Sequence, residues 1–440
     1  MKGIILLSLL CRFADTEING DLKLLLVQTV WRHGDRSPMK TCQTDPIQER
    51  NWTFGGGGYG QLSPIGMKQH LKFGKLLRKK YVEEMGFLSK RYSSKEIYIL
   101  STDRNRTIIS AISNLLGMYG QNDGTNVVGV DYPDDADWPA GFVPVAIHTS
   151  DHSRDHVANP DSACNRQAVL WAMAKSSREL QAFQERPDVA VLLLNLTRNC
   201  GETVNIDNLP DLHDALYVEQ IHANDTLRAT NTWFSDEMYN MMTAVARQVR
   251  LYKNGIFNEA LIMNNLDVGL EIQKIRGGSI LNEISTRMSA KMECLNKNTP
   301  GCKWISGLKY YAYSAHDSTI FAIFCVMGIQ DTVVEDAGYP QYTAAIFFEL
   351  WLNITDNRPY FKVTYRQNPI SEELRPITKM IDGCTEDLCS LEILKKLAKR
   401  SKPDLPMEQW CELNPQSSCS TGSLLYLAVV SVMSLIYNDG

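Results

Sequence analysis

The chain is predicted to be an α/β protein: a mixed, mostly parallel sheet flanked by helices, with a helical subdomain inserted into it. Three observations lead there. Apolar, β-branched and aromatic runs alternate with helical patterns in both terminal parts of the chain. Between residues 164 and 294 the strand signal nearly vanishes and helical periodicity takes over. Two histidine-bearing motifs, one on each side of that insertion, each follow directly on a strand-like run.

Taken in order, Lys2, an apolar run over 4–10 and small or polar residues around Ala14 have the layout of a secretory signal ending by about residue 18. Residues 22–30, rich in Leu and Val, read as a buried strand, and the chain then enters Arg32-His33-Gly34-Asp35-Arg36-Ser37-Pro38. Gly55 to Gly58 lack the Lys-Ser/Thr ending of a phosphate-cradling loop and read as a flexible link. Ser63-Pro64, a hydroxyl cap followed by a first-turn proline, opens a helix through Lys80. A strand at 95–100 leads into a helix over 107–116 that starts beside Arg106, and 142–147 reads as another strand. Helical segments follow at 166–184, 235–251 and 279–292, then strands at 308–313, 343–351 and 360–365. The resulting division is a signal over 1–18, an α/β domain over 19–163 and 295–411, the insertion over 164–294, and a linker with an apolar tail over 412–440.

The heptapeptide sets two guanidiniums around one imidazole where a strand becomes a loop, which is a site for an oxyanion. Gly34 removes a side chain where backbone must come close. A second element, Ser314-Ala315-His316-Asp317-Ser318, would join it at the C-terminal edge of the sheet, where open α/β folds bind ligands; a third segment, Ser101-Thr102-Asp103-Arg104-Asn105-Arg106-Thr107, carries two further arginines. The helix opening next to Arg106 adds partial positive charge.

These three segments resemble the histidine acid phosphatase family, with its RHGxRxP and HD signatures, over about residues 22–411. The resemblance implies the phosphoglycerate mutase-like fold and an acid phosphatase that hydrolyses phosphate monoesters through a phosphohistidine. It implies His33 as nucleophile, Asp317 as proton donor, and Arg32, Arg36, Arg106 and His316 as phosphate ligands, with no cofactor and no metal. Arg106, rather than Arg104, aligns with the family's functional arginine, leaving Arg104 at the rim. The resemblance also implies a Cys164–Cys411 link and, by analogy, a homodimer. Alternatives of related chemistry are a phytase-like inositol-polyphosphate phosphatase, needing extra Lys/Arg around the pocket, and a phosphomutase, which the signal and cysteines disfavour. A catalytically silent surface binding protein of the same fold is the rival of a different class.

The 440 residues carry 45 Lys+Arg against 50 Asp+Glu, a net charge of −5 without a basic stripe, which excludes a nucleic-acid surface as the main function. Eleven cysteines fit an oxidising destination. Cys384 with Cys389, and Cys294 with Cys302, are close enough to close small loops; Cys325 reads as a free core thiol, and partners for Cys42, Cys200 and Cys419 stay open. Sequons at Asn51, Asn195, Asn224 and Asn353 agree with the secretory route, whereas a glycan at Asn105 would crowd Arg106. The apolar block 424–437 suits a short membrane span or a lipid-anchor signal, and either tethers the catalytic domain on the extracellular or lumenal side, the lysosome included. His148, His152 and His156 recur every four residues, but the segment lacks an apolar face and reads as loop rather than a metal-binding helix.

Overall fold

In the computed structural model, residues 21–120, 123–139, 141–334 and 338–415 are described. The signal segment and the apolar block 424–437, with Cys11 and Cys419, lie outside them. Among the described residues no helix is long and apolar enough to cross a membrane.

The chain opens with β1 (Leu22–Arg32), then α1 (Pro64–Leu77), β2 (Ile97–Thr102), α2 (Asn105–Tyr119) and the short edge strand β3 (His148–Ser150). Ser63 caps α1 as its composition predicts, its hydroxyl accepting from the Gly66 N–H. Past Leu77 the helix continues as a π-helical segment, Arg78–Glu84. The expected strand over 142–147 does not form; pairing with β2 starts only at His148. Pro144 has no N–H to donate to a ladder, so Val145 and Ile147 pack against the core without strand pairing.

The stretch expected to be an insertion contains α3 (Asn165–Lys175), α4 (Arg178–Glu185), α5 (Pro187–Cys200), α6 (Leu209–His222), α7 (Asn224–Thr230) and α8 (Asp236–Lys253). A two-residue hairpin, β4 (Ile262–Met263) and β5 (Leu266–Asp267), leads to α9 (Val268–Gln273) and α10 (Ser279–Glu293). The single helix read over 166–184 is thus two, because Ser177 stops the first and caps the second by accepting from the Leu180 N–H. These helices close over their own apolar core of Leu170, Leu196, Leu216, Val249 and neighbours. α10 instead packs Ile280, Leu281, Ile284 and Met288 into the core on one face of the main sheet.

After α11 (Lys303–Gly307) come β6 (Tyr310–Ala315), α12 (Asp317–Met327), a short α13 (Gln330–Val333), β7 (Ala345–Asn353), β8 (Arg358–Arg366), β9 (Arg375–Pro376) and β10 (Cys389–Ser390). The main sheet has the order β10-β8-β7-β1-β6-β2-β3, with β9 on β8. Strands β1, β6, β2 and β3 run parallel; β7, β8, β9 and β10 add antiparallel pairs. Side chains alternate between faces as the period of two requires. Val27, Trp31, Tyr310, Ala312 and Phe347 meet α1 and α2, while Val30, Tyr311, Tyr313 and Phe348 meet α10 and α12. Cys164–Cys411, Cys294–Cys302 and Cys384–Cys389 are disulfides.

Candidate active site

Register brings the three motifs together. Arg32 sits opposite Ala315 across the β1–β6 pair, and Ser101 opposite Ser314 across β2–β6, so all three strands end at one edge. His33, His316 and the start of α2 therefore meet where parallel strands expose their C-terminal ends. Backbone bonds pin the loop: His33 N–H donates to the Ala315 carbonyl at 3.2 Å, and Gly34 N–H to the Ser110 hydroxyl at 3.1 Å. A Cβ on Gly34 would lie 2.5 Å from the Gly66 carbonyl oxygen, so the loop can rest on the first turn of α1 only with glycine there.

His33 is buried, and its Nδ1 lies 2.8 Å from the carbonyl oxygen of Gly34. An oxygen there selects the tautomer protonated on Nδ1, which leaves the Nε2 lone pair free. Burial, then the charges of Arg106, Arg36 and Arg32 and the neighbouring His316, push the His33 pKa well below that of a free imidazole. Both causes disfavour the protonated ring and so favour an unprotonated Nε2. His316 is shifted the same way by burial and by Arg106 and Arg36; its Nε2 lies 3.0 Å from the Thr102 hydroxyl.

The guanidiniums share one feature. The Nε atoms of Arg32, Arg36 and Arg106 are all buried without a hydrogen-bond partner. Arg32 spends Nη1 on the Pro340 carbonyl at 2.8 Å and Nη2 on Asp317 at 2.9 Å, and lies over the Tyr342 ring. Arg36 is held end-on by Asp214 of α6, at 2.9 and 3.0 Å, with Nη1 also donating to the Ser37 carbonyl. Burial alone would lower the Arg36 pKa, but Asp214 outweighs it and raises it. Among the described residues Arg106 forms no salt bridge, and burial with the adjacent Arg36 and Arg104 lowers its pKa to about 9. Unpaired buried donors carry a desolvation cost, and three of them on arginines whose charges all act on His33 suit an anion beside that ring.

Asp317 begins α12 and borders a side cavity of about 160 Å³ lined by Tyr217, Tyr239 and Tyr339. The main pocket is edged by Arg104, His152, Arg250, Lys253 and Arg276 together with Asp161 and Asp211. Arg104 is exposed at the rim. The three histidines spaced by four residues part company: His148 stacks on Tyr98, His152 touches Arg104, and His156 bonds Ser162. Among the described residues no group of three or more His, Cys, Asp or Glu is arranged to hold a metal ion.

Sequence reasoning missed Asp214, which lies on a helix far along the chain and carries no motif. It also missed Thr343, a β-branched residue at φ 56°, whose N–H donates to the His33 carbonyl. Arg366 holds that strained turn by donating to both the Thr343 carbonyl and hydroxyl. Asp35 pairs with His222 of α6 at 2.7 Å, and His70 Nε2 lies 3.1 Å from the Arg32 carbonyl.

Comparison with known proteins agrees with this geometry. The model of the histidine phosphatase superfamily (branch 2) matches residues 23–366. A Caenorhabditis elegans relative bearing the name acid phosphatase 10 is 34% identical over 90% of this chain and 95% of its own. Human lysosomal acid phosphatase is 27% identical, covering 94% of this chain and 88% of its own. Among solved structures, the phytase from Citrobacter braakii superposes with a TM-score of 0.58 at 15% identity, over 89% of this chain and all of that one, a likeness of fold.

Proposed function

We propose that this chain, which belongs to branch 2 of the histidine phosphatase superfamily, is an acid phosphatase that hydrolyses phosphate monoesters through a phosphohistidine at His33. The observation that carries the reading is the trio of orphaned buried Nε–H donors around an imidazole held neutral with Nε2 free. The phosphoryl group would lie among Arg32, Arg36 and Arg106, with His316 donating to one of its oxygens. His33 Nε2 attacks phosphorus, the P–O bond to the leaving alcohol breaks, and Asp317 gives that oxygen its proton. In the second half Asp317 takes a proton from water, the resulting hydroxide attacks phosphorus, and the P–N bond breaks to release inorganic phosphate. A donor role needs a proton on Asp317, and that requirement fits an acidic working range.

The aromatic side cavity beside Asp317 suits the leaving group, which would lie against Tyr217, Tyr239 and Tyr339. An inositol-polyphosphate reading asks for spare cations there. Arg104, Arg250 and Lys253 edge the pocket, but Arg276 is taken by Asp161 at 2.8 Å and Asp211 and Asp214 also face the pocket and offset them, which favours a single phosphate over a polyanion. A silent binding protein would have no need of an intact His33 and Asp317.

Three disulfides and the relatives' names support folding on the secretory route, and the apolar block 424–437 supports a membrane tether. The sequons at Asn51 and Asn224 are exposed and suit glycans, while Asn195 and Asn353 are half-buried.

Rapid acid quench with a radiolabelled aryl phosphate tests the mechanism. His33→Ala is expected to fold normally, trap no label and lose turnover; Asp317→Asn is expected to slow alkyl phosphates more than p-nitrophenyl phosphate. Near-normal hydrolysis by folded His33→Ala would refute the phosphohistidine.

A further inference from the structure

Four side-chain pairs join residues 35–45, the second half of the phosphate loop and its extension, to α5 and α6. Asp35 meets His222, Arg36 meets Asp214, and Asp45 meets Glu219. The fourth pair is Cys42 with Cys200, two neighbouring free thiols, both buried in the core of the helical insertion. The chain around them is fixed. Thr44 N–H donates to the Cys200 carbonyl at 3.3 Å, the Thr44 hydroxyl donates to the Asn199 carbonyl, and the Gln48 amide donates to the Cys42 carbonyl at 3.0 Å. Cys325, the remaining thiol among the described residues, lies in the other main core, within α12.

We propose that Cys42 and Cys200 are oxidised to a fourth disulfide, one that fastens the extension of the phosphate loop to the helical insertion. The two thiols give up two protons and two electrons and form one S–S bond. A disulfide-class oxidant, oxidised glutathione or a disulfide-bearing oxidoreductase, accepts them and becomes two thiols. Three cysteine pairs of this chain are bridged already, so the folding compartment supplies that oxidant. An S–S bond carries no ionisable group, so this link holds alike at neutral and acidic pH. Because the two cysteines are remote in sequence, the bridge would also close a long loop in the unfolded chain, where cross-links constrain most.

The test uses the full chain secreted from eukaryotic cells. The protein is unfolded in guanidinium with N-ethylmaleimide and no reductant, digested, and mapped by mass spectrometry. The expected result is a Cys42 peptide joined to a Cys200 peptide, separated only by reductant, with Cys325 alkylated. N-ethylmaleimide on both Cys42 and Cys200, or either one joined elsewhere, would overturn the assignment. Cys42→Ser and Cys200→Ser should each expose one alkylatable thiol at the partner position. The double variant should start at wild-type activity and lose it several-fold faster on warming at pH 5. Inactivation at the wild-type rate would remove the fastening role even if the bond is found.

Discussion

Replacing Asp214 with Asn tests whether the insertion positions a phosphate ligand. The carboxylate occupies the Nη1/Nη2 end of Arg36, and Ser37 takes the other Nη1 hydrogen, so the Nε–H and the second Nη2 hydrogen are what remain for a phosphate. Asn keeps the shape but points an amide N–H₂ at the guanidinium and removes the charge. The Arg36 side chain is 6% exposed and Asp214 17%, so the pair is largely desolvated. Breaking such a pair costs about 3–5 kcal/mol, and the exposed side of Asp214 places this case near the lower end. For a chain of this size the unfolding entropy is about 0.8 kcal/mol/K, so a loss of about 3 kcal/mol lowers Tm by roughly 4 °C. An Arg36 freed from its hold must also be reordered when phosphate binds, at about 1–2 kcal/mol, or roughly 5- to 30-fold in kcat/KM. Differential scanning fluorimetry, p-nitrophenyl phosphate kinetics and the inhibition constant of inorganic phosphate measure all three. Tm and kcat/KM both within error of wild type would refute the positioning role. Tighter phosphate inhibition would recast Asp214 as a competitor for Arg36.

Further predictions concern pH and the tail. Burial lowers the His70 pKa to about 3, so its stability contribution is complete above the unfolded value near 6.5 and is lost as pH falls toward 3. His70→Gln should therefore shrink the fall in Tm between pH 7 and pH 5 by roughly 2–3 °C, corresponding to about 2 kcal/mol; an unchanged fall would mean that His70 takes up its proton alike in the folded and unfolded chain. Burial and the adjacent Asp45 raise the Glu219 pKa to about 9, so its contribution has the opposite sign: full below the unfolded value near 4.3 and lost as pH rises toward 9. Glu219→Gln should stabilise at pH 8 and change little at pH 4.5, and equal Tm shifts at both would discount the buried proton. A chain ended at Pro415 should be soluble and fully active while the full chain partitions with membranes; a truncated form that fails to fold, or a freely soluble full chain, would contradict the tether.

Much of the site was legible because its chemistry is local in sequence. The heptapeptide at Arg32 and the Ser314–Ser318 segment each contain both the strand exit and the functional side chain, so reading the strand also located the residue. The paired short-loop cysteines were legible for the same reason. What escaped depends on tertiary approach. Asp214 acts only because α6 lies against the phosphate loop, and the strain at Thr343 exists only because Arg366 reaches back from β8 to hold it. The missed strand over 142–147 shows the converse, an apolar pattern that did its packing while one proline removed the donor that pairing requires. At Ser176 and Ser177 the helical periodicity ran on while the hydroxyl of Ser177 ended one helix and began another.

The pairs that join residues 35–45 to α5 and α6 have a consequence for how such proteins can be recombined. An insertion that rested loosely on the sheet could be exchanged between relatives as a cassette, carrying a new leaving-group pocket onto an unchanged catalytic loop. Here the loop's own Asp35 and Arg36 reach into the cassette for their partners. Grafting a foreign insertion alone would strand both in the interior, so loop and insertion form a single unit of inheritance, and a working chimera must transplant residues 35–45 along with the helices.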